Sequence, residues 1–212
     1  KVFYLQLHGS DFEPENDWYE NFFLVIEKNR SLECIDHHLC IGHVEMDLSG
    51  DWKGFVFSDD KSQEKSLSSL LQIERKRLSD LLENALPRLR ETPKPDWIKQ
   101  LVLASDAFIF KRQNYQGEAL DSVIAGFPWF GDWGRDTMIA LPGLCLATDR
   151  HEIAFNILDT FSQYISNGLL PNYFPGNGEQ PEYNTVDASL WYVEAWRAYY
   201  DTTQDIDAIS EV

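Results

Sequence analysis

A chain of 212 residues, 43% hydrophobic and 14% aromatic, carries enough apolar mass for one large domain or two small ones. Its formal net charge of -17 excludes a nucleic-acid backbone or an anionic membrane as partner, because both demand clustered Lys and Arg; a neutral ligand fits better. Three cysteines, Cys34, Cys40 and Cys145, make no pairing framework and no metal-ligand spacing, and read as buried thiols in a reducing compartment. No apolar run approaches membrane length and no secretory pattern is present. The chain starts at Lys1 without an initiator Met and stops at Val212 just inside what reads as a new helix, so a fragment of a longer protein is expected.

From Lys1 to Ser58 the pattern is that of strands. Val2 to Leu7 and Phe22 to Glu27 are strand-like, and a polar stretch with Gly9-Ser10-Asp11 and Asn16-Asp17 separates them. Val44, Met46 and Leu48 alternate with His43, Glu45 and Asp47; Ser49-Gly50-Asp51 supplies a turn, and Trp52 to Phe57 returns as the second strand of an expected hairpin. An antiparallel, sandwich-like sheet follows. His37-His38 reads as surface or strand residues rather than a metal site.

The period then changes. Leu67, Leu70, Leu71, Leu78, Leu81, Leu82 and Ala85 fall on one stripe of a connecting amphipathic helix, which Pro87 and Thr92-Pro93-Lys94-Pro95 end. The parts are therefore a β-rich portion over 1–60, a connecting helix and Pro-rich linker over 61–95, and a helical portion over 96–212. Beyond Pro95 the sequence reads as helices over Trp97 to Phe110, Trp133 to Ala147 with a break at Pro142, Ile153 to Ile165 and Val186 to Tyr200. Between them run two long loops, Gln113 to Gly131 and Asn167 to Asn184, rich in Gly, Pro, Asn and aromatics; loops of this length in a compact domain tend to carry function. Each delivers the chain to a helix N-terminus.

The first loop ends in Phe127-Pro128-Trp129-Phe130-Gly131-Asp132-Trp133-Gly134-Arg135-Asp136-Thr137, where flat apolar faces alternate with groups that hold hydroxyls. Two readings stand side by side. One is a sugar-sized pocket, since aromatic rings cover the C–H faces of a sugar while Arg, Asp and Asn bind its hydroxyls. The other is a punctuated loop entering a helix, with Asp132 as N-cap and Asp136 in the first turn. In the second loop Asn184 reads as the cap of the next helix with Asp187 at N3, and Trp191 and Tyr192 read equally as core or as ligand platforms.

Gly126 to Leu144, Leu169 to Pro175 and Pro181 to Tyr192 resemble the glucosidase part of bacterial and archaeal glycogen-debranching enzymes, the amylo-alpha-1,6-glucosidase family. Asp17-Trp18-Tyr19-Glu20-Asn21-Phe22 and Glu27 to Leu39 resemble the amino-terminal β-rich domain of the same proteins, so the likeness covers most of the chain and is weakest between Asp59 and Asp96. The resemblance implies an α+β chain in two parts: an antiparallel β-sandwich-like portion, the connecting helix, then the first helices of an (α/α)6 toroid that is incomplete here. It implies glycogen or a branched α-glucan as substrate and a cytoplasmic location, with neither metal nor cofactor. By the same resemblance, Trp133, Arg135 and Asp136 match the Trp-x-Arg-Asp segment that holds a non-reducing glucose in the wider glucoamylase-like group. Arg135 and Asp136 are then the hydroxyl-binding residues, Trp129 and Trp133 the walls, and Asn184 and Asp187 further members of the subsite.

Inverting hydrolysis needs a protonated and an ionised carboxyl about 6.5–9.5 Å apart. The family's general acid lies in a Trp-Met-Asp motif that this sequence lacks, so both acid and base are expected beyond Val212 and no catalytic residue is assigned. The isolated chain is then expected to be inactive, and to self-associate through an unfinished helical face. Two alternatives remain open: a non-catalytic carbohydrate-binding relative, or another toroid glycosidase of the glucoamylase or trehalase kind.

Overall fold

A computed structural model describes residues 2–50, 52–59, 66–88, 95–113, 118–127, 130–174 and 180–210. The chain is a mixed α+β protein that divides into two compact units, Lys1–Lys76 and Arg77–Val212. No helix among the described residues is long and apolar enough to cross a membrane.

The first unit contains β1 (Tyr4–His8), β2 (Asp11–Phe23), α1 (Val25–Asn29), β3 (Ile35–Glu45) and β4 (Gly54–Ser58). Its strands form two antiparallel pairs, β1 with β4 from Tyr4↔Ser58 to His8↔Gly54, and β2 with β3 from Asp11↔Glu45 to Phe23↔Ile35. This corrects the expected hairpin: the strands on either side of Ser49-Gly50 do not pair with each other. The polar stretch read as a separator is itself the long strand β2, and Phe22 to Glu27 is not one strand but the end of β2 followed by α1. The reason lies in exposure. Apart from the half-buried Glu15, every residue of β2 is exposed, so its Glu, Asp and Asn need no apolar alternation to stay in a strand. Register shifts between Pro14 and Asp17 and between Tyr19 and Phe22 mark bulges, and Pro14, which has no N–H for a ladder, sits at the first. His37 and His38 are exposed on β3.

The helix α2 (Leu67–Ala85) takes the span its leucine stripe predicts. In the second unit its last turn packs Leu81, Leu82 and Ala85 against Ile98 and Val102 of α3 (Asp96–Asp106). Then the structure departs from the all-helical expectation. The helix read as reaching Phe110 stops at Asp106, and β5 (Ile109–Gln113) pairs antiparallel with β6 (Ala119–Val123) inside the stretch read as a loop. The hairpin is stabilised by what it buries: Asp121, Ser122 and Val123 are all almost fully covered, and the Asp121 carboxylate is matched by Lys111 Nζ at 2.6 Å and Asn156 Nδ2 at 3.1 Å.

Three further helices build the core: α4 (Gly134–Leu144), α5 (His151–Ser162) and α6 (Asp187–Thr203), followed by the short α7 (Ile206–Ser210). Met138 and Leu141 of α4, Ile157, Leu158 and Phe161 of α5, and Ala188, Ala195 and Tyr199 of α6 share one apolar cluster. Pro142 does not break α4 where expected; the helix runs to Leu144, and the Cys145 N–H still donates to the Leu141 carbonyl at 2.8 Å. The end of α4 is fastened by Arg150, which donates to Leu144 O at 2.8 Å, Ser105 Oγ at 2.6 Å and Asp106 Oδ1 at 3.1 Å. Burial pushes the Cys145 thiol up to about 12, so it stays a neutral core group.

Candidate functional site

Where the two loops meet, backbone does the positioning. The Gly134 N–H donates to Asn172 O at 2.9 Å, Phe174 N–H to Asp132 O at 3.4 Å, Asn172 N–H to Glu182 O at 2.8 Å and Glu182 N–H to Tyr173 O at 3.0 Å. Tyr173 thus lies between Trp133 and Glu182 as the middle member of a three-segment bridge. Gly134 is required there by space, since a Cβ would stand 2.0 Å from the Pro171 carbonyl oxygen. The result is that the first turns of α4 and α6 come together.

The carboxylates and aromatics of the motif divide into two sets. Asp132 points inward: it is buried, and its Oδ2 accepts from Arg112 Nη1 at 2.8 Å and Ser122 Oγ at 2.9 Å. It is not the cap of α4, a place taken by the backbone of Trp133 with no side-chain bond. The half-buried Arg112 guanidinium, 4.3 Å above the Phe174 ring, needs that counter-charge more than the helix needs a cap. Trp133 is half-buried and its ring lies 4.8 Å from that of Tyr173, tilted by 37°. Trp129 lies outside the described residues.

Arg135 and Asp136 point outward. Arg135 Nη1 meets Asp187 Oδ2 at 3.1 Å, joining the two helix starts, and Thr185 Oγ1 donates to the other Asp187 oxygen. The Thr185 hydroxyl, then the Arg135 guanidinium, hold the Asp187 carboxyl below the usual aspartate range. Asp136 is exposed and has no hydrogen bond or ion pair to another described residue. With Arg135 it forms the polar lining of a cleft of about 270 Å³ whose other walls include Phe108, Ile124, Ile139 and Leu144. Such a cleft offers an apolar face opposite a cation and an ionised acceptor, which suits a polyhydroxylated ring.

Asn184 is not the cap of α6. That helix starts at Asp187 with Val186 at its N-cap, two residues too late for Asn184, whose Oδ1 instead accepts from Asn172 Nδ2 at 2.8 Å while its Nδ2 reaches Glu182 Oε2 at 3.4 Å. Tyr192 is core, with its hydroxyl donating to Leu158 O at 3.0 Å, while Trp191 is exposed. The residues that sequence reasoning missed are Arg112, Ser122 and Tyr173. Ile109-Phe110-Lys111-Arg112-Gln113 runs two apolar then three polar residues, so no alternation marked the strand that places Arg112.

Two family models and a curated relative match the chain. Residues 103–212 match the family described as amylo-alpha-1,6-glucosidase, and residues 1–53 match the glycogen debranching enzyme N terminal. The chain is also similar to the glycogen debranching enzyme of Saccharomyces cerevisiae, at 34% identity over 98 residues, which is 44% of this chain and 6% of the yeast protein. The first of these matches covers more than half of the chain and includes α4, α6 and the loops that bring them together. The chain belongs to the amylo-alpha-1,6-glucosidase family of glycogen-debranching proteins.

Proposed function

We propose that this chain contributes the glucose-binding subsite of a glycogen-debranching glycoside hydrolase, an inverting α-1,6-glucosidase acting on branched α-glucan in the cytoplasm without metal or cofactor at its site. The observation that carries the reading is the placement of Arg135 and Asp136 on one edge of an apolar-walled cleft, with Asp136 left without a described partner. In this reading Asp136 accepts hydrogen bonds from glucose hydroxyls, Arg135 donates to a neighbouring oxygen, and Asp187 holds the Arg135 guanidinium in place. Trp133 and Trp129 cover the sugar's C–H faces, and Asn184 acts at one remove by tying Asn172 to Glu182. The helices from α3 onward are the first of an (α/α)6 toroid. The 1–60, 61–95 and 96–212 parts are the end of the β-rich domain, the connector and the start of the glucosidase domain.

A second reading, binding without turnover by this chain, is favoured by one observation. The buried carboxylates among the described residues, Asp121 and Asp132, are both committed to cations, so neither is available as a general acid. No residue here is proposed as acid or base. Retardation of the purified chain in a glycogen-containing native gel, with no glucose released from limit dextrin, is the expected outcome. Mobility indifferent to glycogen contradicts the subsite, and glucose release contradicts the assignment of no catalytic pair. On α6, Leu190 and Val193 lie exposed and support the expected self-association, which a monodisperse monomer at high concentration would contradict.

A further inference from the structure

In the first unit, far along the sequence from the glucose-binding residues, three different metal-ligating side chains converge. Glu15 on β2 and Cys40 and His43 on β3 each offer one ligand atom, and those atoms all lie within 4.8 Å of one another. Glu15 Oε2 accepts from Cys40 Sγ at 3.3 Å and also meets His43 Nε2. A tetrahedral ion with bonds of about 2.0–2.3 Å separates its ligand atoms by about 3.3–3.8 Å, so an ion fits among these three with only small side-chain shifts.

The backbone explains how they meet. Residues three apart in a regular strand face opposite sides of the sheet, which is why Cys40-Ile41-Gly42-His43 shows no ligand spacing in the sequence. Gly42 breaks that alternation: its φ is +151°, and a Cβ there would stand 2.4 Å from the Phe12 ring and 2.6 Å from Glu13 O. Opposite it, the register shift between Pro14 and Asp17 is a bulge that holds Glu15, the one residue of β2 that is not exposed. Tyr19 Oη donates to Glu15 Oε1 at 3.3 Å, fixing the carboxylate with Oε2 toward the cysteine and histidine, as outer-shell partners of metal-binding carboxylates do.

We propose that Glu15, Cys40 and His43 bind a zinc-class divalent ion that clips β2 to β3, with water in the fourth position. A thiolate, an imidazole and a carboxylate suit a borderline-soft ion and not Mg²⁺ or Ca²⁺, which prefer oxygen ligands alone. A two-stranded ribbon is marginal by itself, so a clip across it has a structural use. The ion is separate from the proposed glucosidase chemistry.

The test uses the whole 212-residue chain, freed of metal and kept reduced. Titration with Co²⁺ is expected to give the near-ultraviolet thiolate-to-cobalt charge-transfer band at one ion per chain, with Zn²⁺ displacing the cobalt. Cys40→Ser is expected to abolish the band and Cys34→Ser to leave it intact. His43→Ala, a change at an exposed position that leaves the ribbon pairing in place, is expected to weaken Zn²⁺ binding about tenfold or more, as loss of a direct ligand should at least match the about 10–100-fold cost of losing an outer-shell partner. Absence of the band, its survival in Cys40→Ser, its loss in Cys34→Ser, or unchanged affinity in His43→Ala would each overturn the proposal.

Discussion

Two arginine–aspartate pairs flank the same turn, and they have opposite characters. Arg112–Asp132 at 2.8 Å is largely covered, with side chains 19% and 8% accessible; Arg135–Asp187 at 3.1 Å is open, at 49% and 42%. The first is further closed by Ser122 and by the Phe174 ring. The second stands exposed next to Asp136, so losing its contact leaves no buried charge bare. Two pairs of the same residue types, each with one member in the motif, thus divide into a support and a surface. Burial decides which is which.

The largest expected effect breaks the support. Asp132→Ala leaves the half-buried Arg112 guanidinium without its carboxylate and is expected to lower unfolding free energy by about 2–4 kcal/mol in urea titration, short of the full cost of a buried bare charge. A double change, Arg112→Met with Asp132→Leu, is expected to restore most of that loss; equal loss in the double variant contradicts a coupled pair. Next in size is Gly134→Ala, where the new methyl meets the Pro171 carbonyl rather than a yielding side chain, at an expected cost near the upper end of about 1–3 kcal/mol. Wild-type stability in that variant means the loop does not dock on α4 as described.

What could be read in advance follows the same line between support and surface. The α2 stripe was legible because one face of a helix is apolar and the other charged, and Leu67–Ala85 came out as the periodicity requires. Arg135, Asp136 and Asp187 could be picked out as polar groups at helix starts beside aromatics, but the linear pattern left a capping role and a binding role equally open. Of the two readings of Asp132, the helix cap fails because its partner, Arg112, is twenty residues away on a hairpin that no alternation announces. Strand β2 was missed because it buries almost nothing, and Glu15 could not be linked to Cys40 and His43 because the bulge between Pro14 and Asp17 that sets it opposite them leaves no mark in the sequence. Long-range partners and local backbone exceptions are what a linear pattern does not carry.

Smaller effects sharpen the contrast from the open side. Asp187→Asn is expected to leave stability at neutral pH close to wild type, because exposed pairs contribute little. Its lowered carboxyl pKa means that the stabilisation it does give is present above the ordinary aspartate range and lost as pH falls through the lowered value. The acid limb of a stability–pH curve should therefore flatten slightly in the variant, and an unchanged limb contradicts the Thr185 and Arg135 contacts. Among the thiols, Cys145 in the folded chain is expected to resist alkylation at about pH 8, whereas the half-buried Cys34 and Cys40 react. Rapid modification of Cys145 without unfolding means the core near α4 is open.

Calorimetric titration of glucose or maltose into the chain and its Asp136→Asn, Arg135→Ala and Asp187→Asn variants tests the central claim most directly. Loss of an ionised acceptor or donor of charge-assisted hydrogen bonds, each contributing about 1.5–3 kcal/mol, predicts affinity falling about tenfold or more in Asp136→Asn and Arg135→Ala. A lesser fall is expected in Asp187→Asn, with the folded structure intact in all three. Sugar affinity equal to wild type in both Asp136→Asn and Arg135→Ala would contradict the assignment of this edge of the cleft to glucose.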